Sequence, residues 1–452
     1  MSTIAAIATP DAPGGISVIR ISGNDAFVIS DRIFRSFAGK SVQDMEGYTC
    51  AYGNIVDGDE IVDDVVLTVF RAPKSYTGEN VAEISCHGGR YITRKILRLI
   101  LKNGAEPAGA GEFTKRAFLN GKMSLTQAEA VMDVISSAGE TELRYANALK
   151  DGAVFRRING LKNDLVKILA DLAAWADFPE EDVPEVRPEV LLAELEELSQ
   201  KFAKLAATYD SGRIIRDGIN TVIVGRPNAG KSTLMNCLSG FQRSIVTDIE
   251  GTTRDVIEES IKLGDFTLRL SDTAGIRSTD DVIENMGVEI AFSRMKEADL
   301  IFAVFDSSRE LSDEDKRIIS NIDLSKSVAI INKIDADSNI DRDYIYSIFK
   351  YVAEISAKNE DGIEKIEKIL EEMFENNDKP ENGFIANERQ KNCLERAAEY
   401  VNEAKTALES GVLLDGITVL LDSASEKLME LTGEKVSEAV VDDVFSRFCV
   451  GK

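Results

Sequence analysis

Apolar and polar positions alternate along the first part of the chain. TIAAIAT (3–9), GISVIRIS (15–22), DDVVLTVF (63–70) and NVAEISC (80–86) are rich in β-branched residues and predict strands. After them RYITRKILRLILK (90–102) changes to helical spacing, with Arg90, Arg94, Arg98 and Lys102 four apart on one polar face. Longer stripes follow. Leu161, Leu165, Ile168, Leu172 and Trp175 step by four and three, as do Leu195, Leu198, Phe202, Leu205 and Tyr209. Both predict core-facing helices. The link between them, DFPEEDVPEVRPE (177–189), holds three prolines and many acids and reads as a loop.

From about 216 to 376 short apolar runs alternate with helical segments: TVIVG (221–225), TLRLSDT (267–273), LIFAVFD (300–306), VAIINK (328–333) and VAEIS (352–356). That order predicts a doubly wound parallel sheet. The polar run ENNDKPENG (375–383) closes it. Helical stripes then return at Leu394, Ala397, Val401, Ala404 and Leu408, and at Ile417, Leu420, Ala424, Leu428 and Leu431. Helices on both sides of an α/β segment predict one all-α helical domain with the α/β domain inserted into it. The divisions are 1–118 for an N-terminal α/β (α+β) domain, 119–215 and 377–452 for the two parts of the helical domain, and 216–376 for the inserted α/β domain.

Composition narrows the picture. A chain of 452 residues is long enough for two or three cores. No apolar stretch is long enough to cross a bilayer, and the start of the chain lacks the basic region of a secretory leader. Cysteines stand singly at 50, 86, 237, 393 and 449, which suits a reducing cytoplasm and gives neither a disulfide frame nor a zinc site. One histidine, His87, leaves no room for multi-His metal sites. The formal charge of −25 is unlike that of a nucleic-acid binder, so RNA would be held by a local basic patch or a basic partner. The cationic face over 90–102 reads first as a solvated helix face, with RNA or an acidic partner as the alternative.

Candidate chemistry lies in the α/β segment. GRPNAGKS (225–232) follows an apolar strand and opens a helix, the context of a P-loop. Asn228, Ala229, Gly230, Lys231, Ser232 and Thr233 form the phosphate-binding turn: backbone N–H groups face phosphate oxygens, Lys231 reaches the β- and γ-phosphates, and Ser232 offers its hydroxyl to Mg²⁺. DTAG supplies Asp272 near the metal, then Thr273, Ala274 and Gly275, whose N–H faces the γ-phosphate. In INKID, Asp335 accepts the ring N–H and exocyclic amine of guanine, while Asn332 and Lys333 brace the base and the P-loop. Ser356, Ala357 and Lys358 of ISAK form the base-edge loop. Their order along the chain, each at a strand end, identifies a guanine-nucleotide site.

The residue after DTAG is Ile276, where many GTPases place a water-orienting glutamine. Such sites gain their missing charge from a trans-acting arginine, worth roughly 7 kcal/mol, or from another cation. Asn228 at the P-loop rim and the oxygen-rich segment TDIEGTTRD (247–255) offer a cage for K⁺: the carbonyls of Thr247 and Ile249, with Thr252 and Asn228. Asp248, Glu250 and Gly251 lie in the same segment, and Thr253 would bind Mg²⁺. Glu284 is the candidate to orient water. Asn228 taken alone also reads as a turn residue, and Arg277 as a surface or structural residue.

Taken together, GRPNAGKSTLMN, IVTDIEGTTRDVIEE, DTAGIRSTDDVIENMG and the terminal FSRFCVGK resemble the tRNA modification GTPase family MnmE (TrmE). The blocks IAAIATPDAPGGISVIRISG, APKSYTGENVAEISCHGG and GEFTKRAFLNGKMSLTQAEAVMDVI extend the resemblance over the whole chain. It implies an N-terminal folate-binding domain, a helical domain and an inserted Ras-like α/β P-loop G domain over 216–376, in a homodimer built through the N-terminal domains. It implies K⁺ at Asn228, Thr247, Ile249 and Thr252, Mg²⁺ at Ser232 and Thr253, and Glu284 as the water-orienting carboxylate, with Lys231 also catalytic. It implies a tetrahydrofolate derivative held by Arg20, Glu79, Lys122 and Lys452, with the Cys449 thiol near the modification chemistry. The implied reaction adds aminomethyl or carboxymethylaminomethyl groups at C5 of the wobble uridine of certain tRNAs. It also implies a partner, MnmG (GidA), that carries FAD and uses NADH. Two positions depart from the family pattern: Ala110 stands where proline is usual, and TPDAPGG lacks a basic residue. The rival expectation is a regulatory or ribosome-assembly switch GTPase, which requires a basic RNA module.

Overall fold

The computed structural model describes residues 1–177, 186–241, 259–270, 295–374 and 383–452. These residues form two compact units. One comprises Met1–Ile135, Leu149–Phe202 and Asn392–Lys452; the other comprises Ser136–Ala148 and Ala203–Lys391.

The first unit is built on a seven-stranded sheet. Its strands are β1 (Ile4–Ile7), β2 (Ile16–Ser22), β3 (Phe34–Ser36), β4 (Thr49–Asp57), β5 (Glu60–Phe70), β6 (Val81–His87) and β7 (Glu106–Pro107), in the order β3-β4-β5-β6-β2-β1-β7. Neighbours are antiparallel except β1 and β7. The period-2 pattern dictates two different faces. The row Leu67, Ile84 and Ile19 is fully buried beneath α1 (Ala26–Ile33) and α2 (Arg90–Lys102). The adjacent row, Tyr52, Val66, Ser85 and Val18, faces the other way, with Tyr52 and Val66 exposed. Helix α2 buries Thr93, Ile96, Leu99 and Ile100 and turns its arginines to solvent, as its spacing predicts.

The helical stripes of this unit bury Leu161, Leu165, Ile168 and Leu172 on Ala153–Asp177, and Ile417, Ala424, Leu428 and Leu431 on Leu414–Thr432. Trp175 and Leu420 are half-buried. The stripe Leu195 to Tyr209 does not belong to one helix. Pro188–Ala206 ends before Tyr209, which opens the next helix, Tyr209–Asp217. The apolar period continues across that break because both helices bury the same kind of face.

The end of the chain returns to the sheet. Val450 bridges Ala110, Gly111 N–H donates to the Cys449 carbonyl (3.3 Å), and Phe113 N–H donates to the Lys452 carbonyl (3.1 Å). Gly451, with φ of +100°, lies against the backbone of Ile7 and Ala8, where a Cβ would collide.

The second unit carries a six-stranded sheet ordered β13-β12-β11-β8-β10-β9, from β8 (Ile219–Val224), β9 (Glu259–Leu263), β10 (Phe266–Leu270), β11 (Leu300–Asp306), β12 (Ser327–Asn332) and β13 (Tyr351–Glu354). All pairs are parallel except the edge hairpin β9–β10. Strands β11 and β12 are buried throughout, with separate apolar clusters on the two faces. That is why they read as continuous apolar runs. The doubly wound sheet expected from the sequence is present. The preceding helix Tyr209–Asp217 is tied to it by Arg213, whose guanidinium donates to both carboxylate oxygens of Asp299 (2.5 and 3.1 Å).

Candidate functional site

The P-loop leaves the C-terminal end of β8 and enters helix Lys231–Phe241. Three residues take the left-handed backbone that this tight reversal requires: Gly225, Asn228 (φ of +63°) and Gly230 (φ of +100°). At Gly230 the need is also steric, because a Cβ would meet the Asn332 amide. Ala229 is fully buried, whereas Ser232 and Thr233 are exposed at the helix start. N–H groups there and the helix dipole favour anions. The Lys231 ammonium donates to the carbonyls of Gly225 (2.6 Å) and Arg226 (2.9 Å), and burial pulls its pKa below the ordinary lysine value.

Asn332, at the end of β12 and 2% exposed, joins the separate segments. Its amide donates to the Ala229 carbonyl (3.2 Å), and its oxygen accepts from the N–H of Lys333 (2.8 Å) and of Ala357 (3.0 Å). Lys333, itself left-handed at φ of +66°, donates to the Asn228 carbonyl (2.8 Å) and to Asp306 (2.7 Å). Asp335 accepts from the Ser356 hydroxyl (2.6 Å), and that hydrogen bond holds its carboxyl below the ordinary range. Ser356 and Ala357 are buried, Asp335 and Lys358 exposed. The geometry thus unites the P-loop, the INKID strand end and the ISAK loop in one cradle.

Thr247, Asp248, Ile249, Glu250, Gly251, Thr252 and Thr253 lie outside the described residues. So do Asp272, Thr273, Ala274, Gly275, Ile276, Arg277 and Glu284.

Asp306 is a member of this site that sequence reasoning missed. It ends β11 in register with Asn332 and is 4% exposed. It accepts from Lys333 and from both the N–H (3.0 Å) and hydroxyl (2.6 Å) of Ser308. Burial opposes its charge, but the Lys333 and Ser308 hydrogen bonds prevail and its pKa is lowered. The available signal was a lone acid closing an apolar strand at the edge where open α/β sheets bind ligands. Arg226 was missed as well; it faces buried Asp315 at 3.8 Å.

A second constellation occupies the first unit. Arg20 donates to Glu83 (2.7 Å) and the Gly451 carbonyl (3.3 Å), with its guanidinium 5.5 Å from the ring centroids of both Tyr76 and Phe113. Glu79 accepts from Ser22 (2.7 Å) and from Arg116 through both oxygens (3.2 Å each). Arg116 also holds the Ser2 carbonyl and Glu112. Lys452 is half-buried, its pKa lowered by burial and then by the Arg20 charge. The Gly451 carbonyl that Arg20 holds is that of the residue preceding Lys452. Lys122 donates to the Pro73 carbonyl (3.0 Å) and packs near Gly78, next to Glu79. Cys449 has a free, half-buried side chain, and its backbone carbonyl accepts from the Gly111 N–H. Sequence reasoning missed Arg116, Tyr76, Phe113 and Glu83 as companions of these residues.

His87 lies at the end of β6. Its backbone N–H donates to one Asp63 oxygen (2.9 Å), and its ring Nδ1 lies 2.7 Å from the other. Among the described residues, Asp63, Asp64 and His87 are the one group of three such side chains close enough to share a metal ion.

Comparison with known proteins identifies the family. The family model for the TrmE GTP-binding protein N-terminus matches residues 3–122, and that for the MnmE helical domain matches residues 125–449. The tRNA modification GTPase MnmE of Clostridioides difficile (strain 630) is 42% identical over 100% of this chain and 99% of its own length. That of Thermoanaerobacter pseudethanolicus is 41% identical over the same shares. Among solved structures, the G domain of the T. maritima FeoB iron transporter aligns with 34% of this chain and 98% of its own, at 22% identity and a TM-score of 0.26. With both family models matched and relatives aligned from end to end, the chain belongs to the MnmE (TrmE) family of tRNA modification GTPases.

Proposed function

We propose that this GTPase is activated by potassium and acts with a flavin-dependent partner, MnmG (GidA), to modify C5 of the wobble uridine of certain tRNAs. The carbon comes from a tetrahydrofolate derivative, and FAD and NADH act on the partner. The observation that carries the reading is the left-handed Asn228, whose carbonyl is pinned by Lys333 at the P-loop rim. Asn228, with Thr247, Ile249 and Thr252, would hold K⁺, and Ser232 with Thr253 would hold Mg²⁺. When bound, these ions supply positive charge where the phosphates gain negative charge, in place of an arginine from another chain. Lys231 binds the phosphates, Asp335 reads guanine, and Glu284 orients the water.

In the first unit, Arg20 between Tyr76 and Phe113 fits a flat heterocycle and a carboxylate tail together. Lys122 and Lys452 add charge for that tail, Glu79 faces the donor edge of the pterin, and Cys449 lies beside the same terminal turn. The exposed sheet row of Tyr52 and Val66 supports a homodimer built through this unit. Residues 1–118 are assigned as the folate and dimer domain, 119–215 and 377–452 as the helical domain, and 216–376 as the G domain. Among the described residues no helix is long and apolar enough to cross a membrane, consistent with work in the cytoplasm.

The test measures GTP turnover at matched ionic strength in K⁺ and in Na⁺, beside mass spectrometry of wobble nucleosides from cells lacking the protein. Turnover should fall on the order of 100-fold in Na⁺, and the C5 side chain should vanish. Equal turnover in both salts ends the potassium reading. Intact C5 groups with immature ribosomal particles would favour a switch GTPase.

A further inference from the structure

The charge of this protein is divided sharply. Residues 1–122 hold 14 Lys and Arg against 14 Asp and Glu, so the whole formal charge of −25 is carried by residues 123–452. A polyanion approaching the molecule is repelled by most of its length and not by the N-terminal segment. Within that segment, α2 presents Arg90, Arg94, Arg98 and Lys102 along one exposed face. Twelve helical rises, from Arg90 to Lys102, spread these cations over about 18 Å. Arg98 and Lys102 have no acidic partner within ion-pair distance among the described residues. Arg90 and Arg94 share one, Asp11, at 4.0 and 2.6 Å, and all three side chains are more than half exposed. An exposed pair of this kind contributes little and yields readily to a competing anion. Tyr91, 75% exposed at the same end, adds a ring that nothing covers.

We propose that the outer face of α2 is a docking surface for RNA, contacting the phosphate backbone of the tRNA. The inference rests on the tRNA-modifying reading above and adds the place where the nucleic acid is held. Charge complementarity selects a polyanion. Three guanidinium groups suit the paired oxygens of phosphates better than ammonium groups do. The uncovered tyrosine offers stacking to an unpaired base, which an acidic protein surface would not use. The stripe also removes the objection raised by the acidic total, since the basic module is local.

The experiment compares the full-length protein with a variant carrying Arg94→Gln, Arg98→Gln and Lys102→Gln. A control carries Arg35→Gln, Lys40→Gln and Lys74→Gln, which removes the same charge from other exposed positions of the segment. Fluorescence anisotropy with unmodified tRNA is recorded from low to moderate salt. The α2 variant should bind at least about tenfold more weakly near 0.1 M salt, and the slope of log affinity against log salt should fall by about 2 to 3. The control should lose far less, and GTP turnover and the melting temperature should match the parent in both. An equal loss in the control, an unchanged affinity or slope, or no tRNA binding by the parent at low salt overturns the inference. Unchanged tRNA binding with lost binding of the flavin-dependent partner overturns it too, in favour of a protein surface. Nucleoside analysis of cells lacking the protein tests the tRNA-modifying reading separately, so the two can fail independently.

Discussion

The two sites use buried charge in opposite ways. At the nucleotide cradle of the second unit, the buried carboxylate Asp306 holds Lys333, and Lys333 holds a backbone carbonyl of the P-loop. The pair shapes a loop, and the fold around it rests on two large apolar clusters. In the first unit, Arg116 is 3% exposed and gathers Glu79, Glu112 and the Ser2 carbonyl around itself. There the charges join the start of the chain, β6's preceding loop and a helix. One arrangement tunes a ligand site; the other holds a domain together and orients Glu79 as a by-product.

The comparison breaks most directly at Arg116. Replacing it with Met leaves Glu79 and Glu112 without their cation. Removing one partner of a buried ion pair costs about 3–5 kcal/mol; the partial exposure of both acids, 14% and 28%, places the expected loss near the lower end, at about 3 kcal/mol. Thermal or urea unfolding of the first unit's transition should show it. Adding Glu79→Gln to the variant should recover part of the loss, because a neutral amide tolerates the site better. A double variant no more stable than Arg116→Met would mean that the arginine acts through packing alone.

Asp306→Asn sharpens the other side. The substitution keeps the shape and an acceptor oxygen but removes the charge that fixes Lys333. Hydrogen bonds to charged groups contribute about 1.5–3 kcal/mol, part of it to the fold and part to the shape of the loop that receives nucleotide, so GTP should bind roughly tenfold more weakly and the melting temperature should fall less than in Arg116→Met. Titration calorimetry with a non-hydrolysable analogue measures the affinity, and calorimetric melting the stability. A large drop in melting temperature with unchanged affinity would make Asp306 a structural residue and erase the contrast with Arg116.

This contrast also explains what could be read in advance. Phosphate and guanine sites are assembled from short contiguous segments at successive strand ends, so the order of GRPNAGKS, INKID and ISAK carries the geometry with it. Asp306 escaped because one acid after an apolar run has no spacing to mark it; only its register with Asn332 places it beside Lys333. The constellation of the first unit is scattered from Arg20 to Lys452. Cys449 and Lys452 join the others because the terminal turn packs back onto β1 and α3 (Glu112–Leu119). No local period encodes that return, so those residues were approached through family resemblance. The helix break before Tyr209 was hidden for the converse reason: the apolar period continues across it.

The smallest effect concerns a charge pair that neither site uses. His87 is the sole histidine, so its ring gives a single titration signal. The hydrogen bond to Asp63, then its negative charge, raises the imidazole pKa above the ordinary value of 6.5. A raised folded-state pKa means that the protonated ring is favoured by folding. The resulting stability is fully present below the unfolded value and is lost as pH rises through the folded one. The ring is well exposed, so the change in stability will be slight, and the titration itself is the better observable. NMR of the imidazole should give a midpoint above 6.5 in the parent and one shifted downward in Asp63→Asn. Nucleotide affinity should be unchanged in that variant, whereas Asp306→Asn should leave the His87 midpoint where it was. A midpoint insensitive to Asp63 would mean that the short contact does not persist in solution. An altered nucleotide affinity would mean that the effect of Asp63 is not confined to the imidazole beside it.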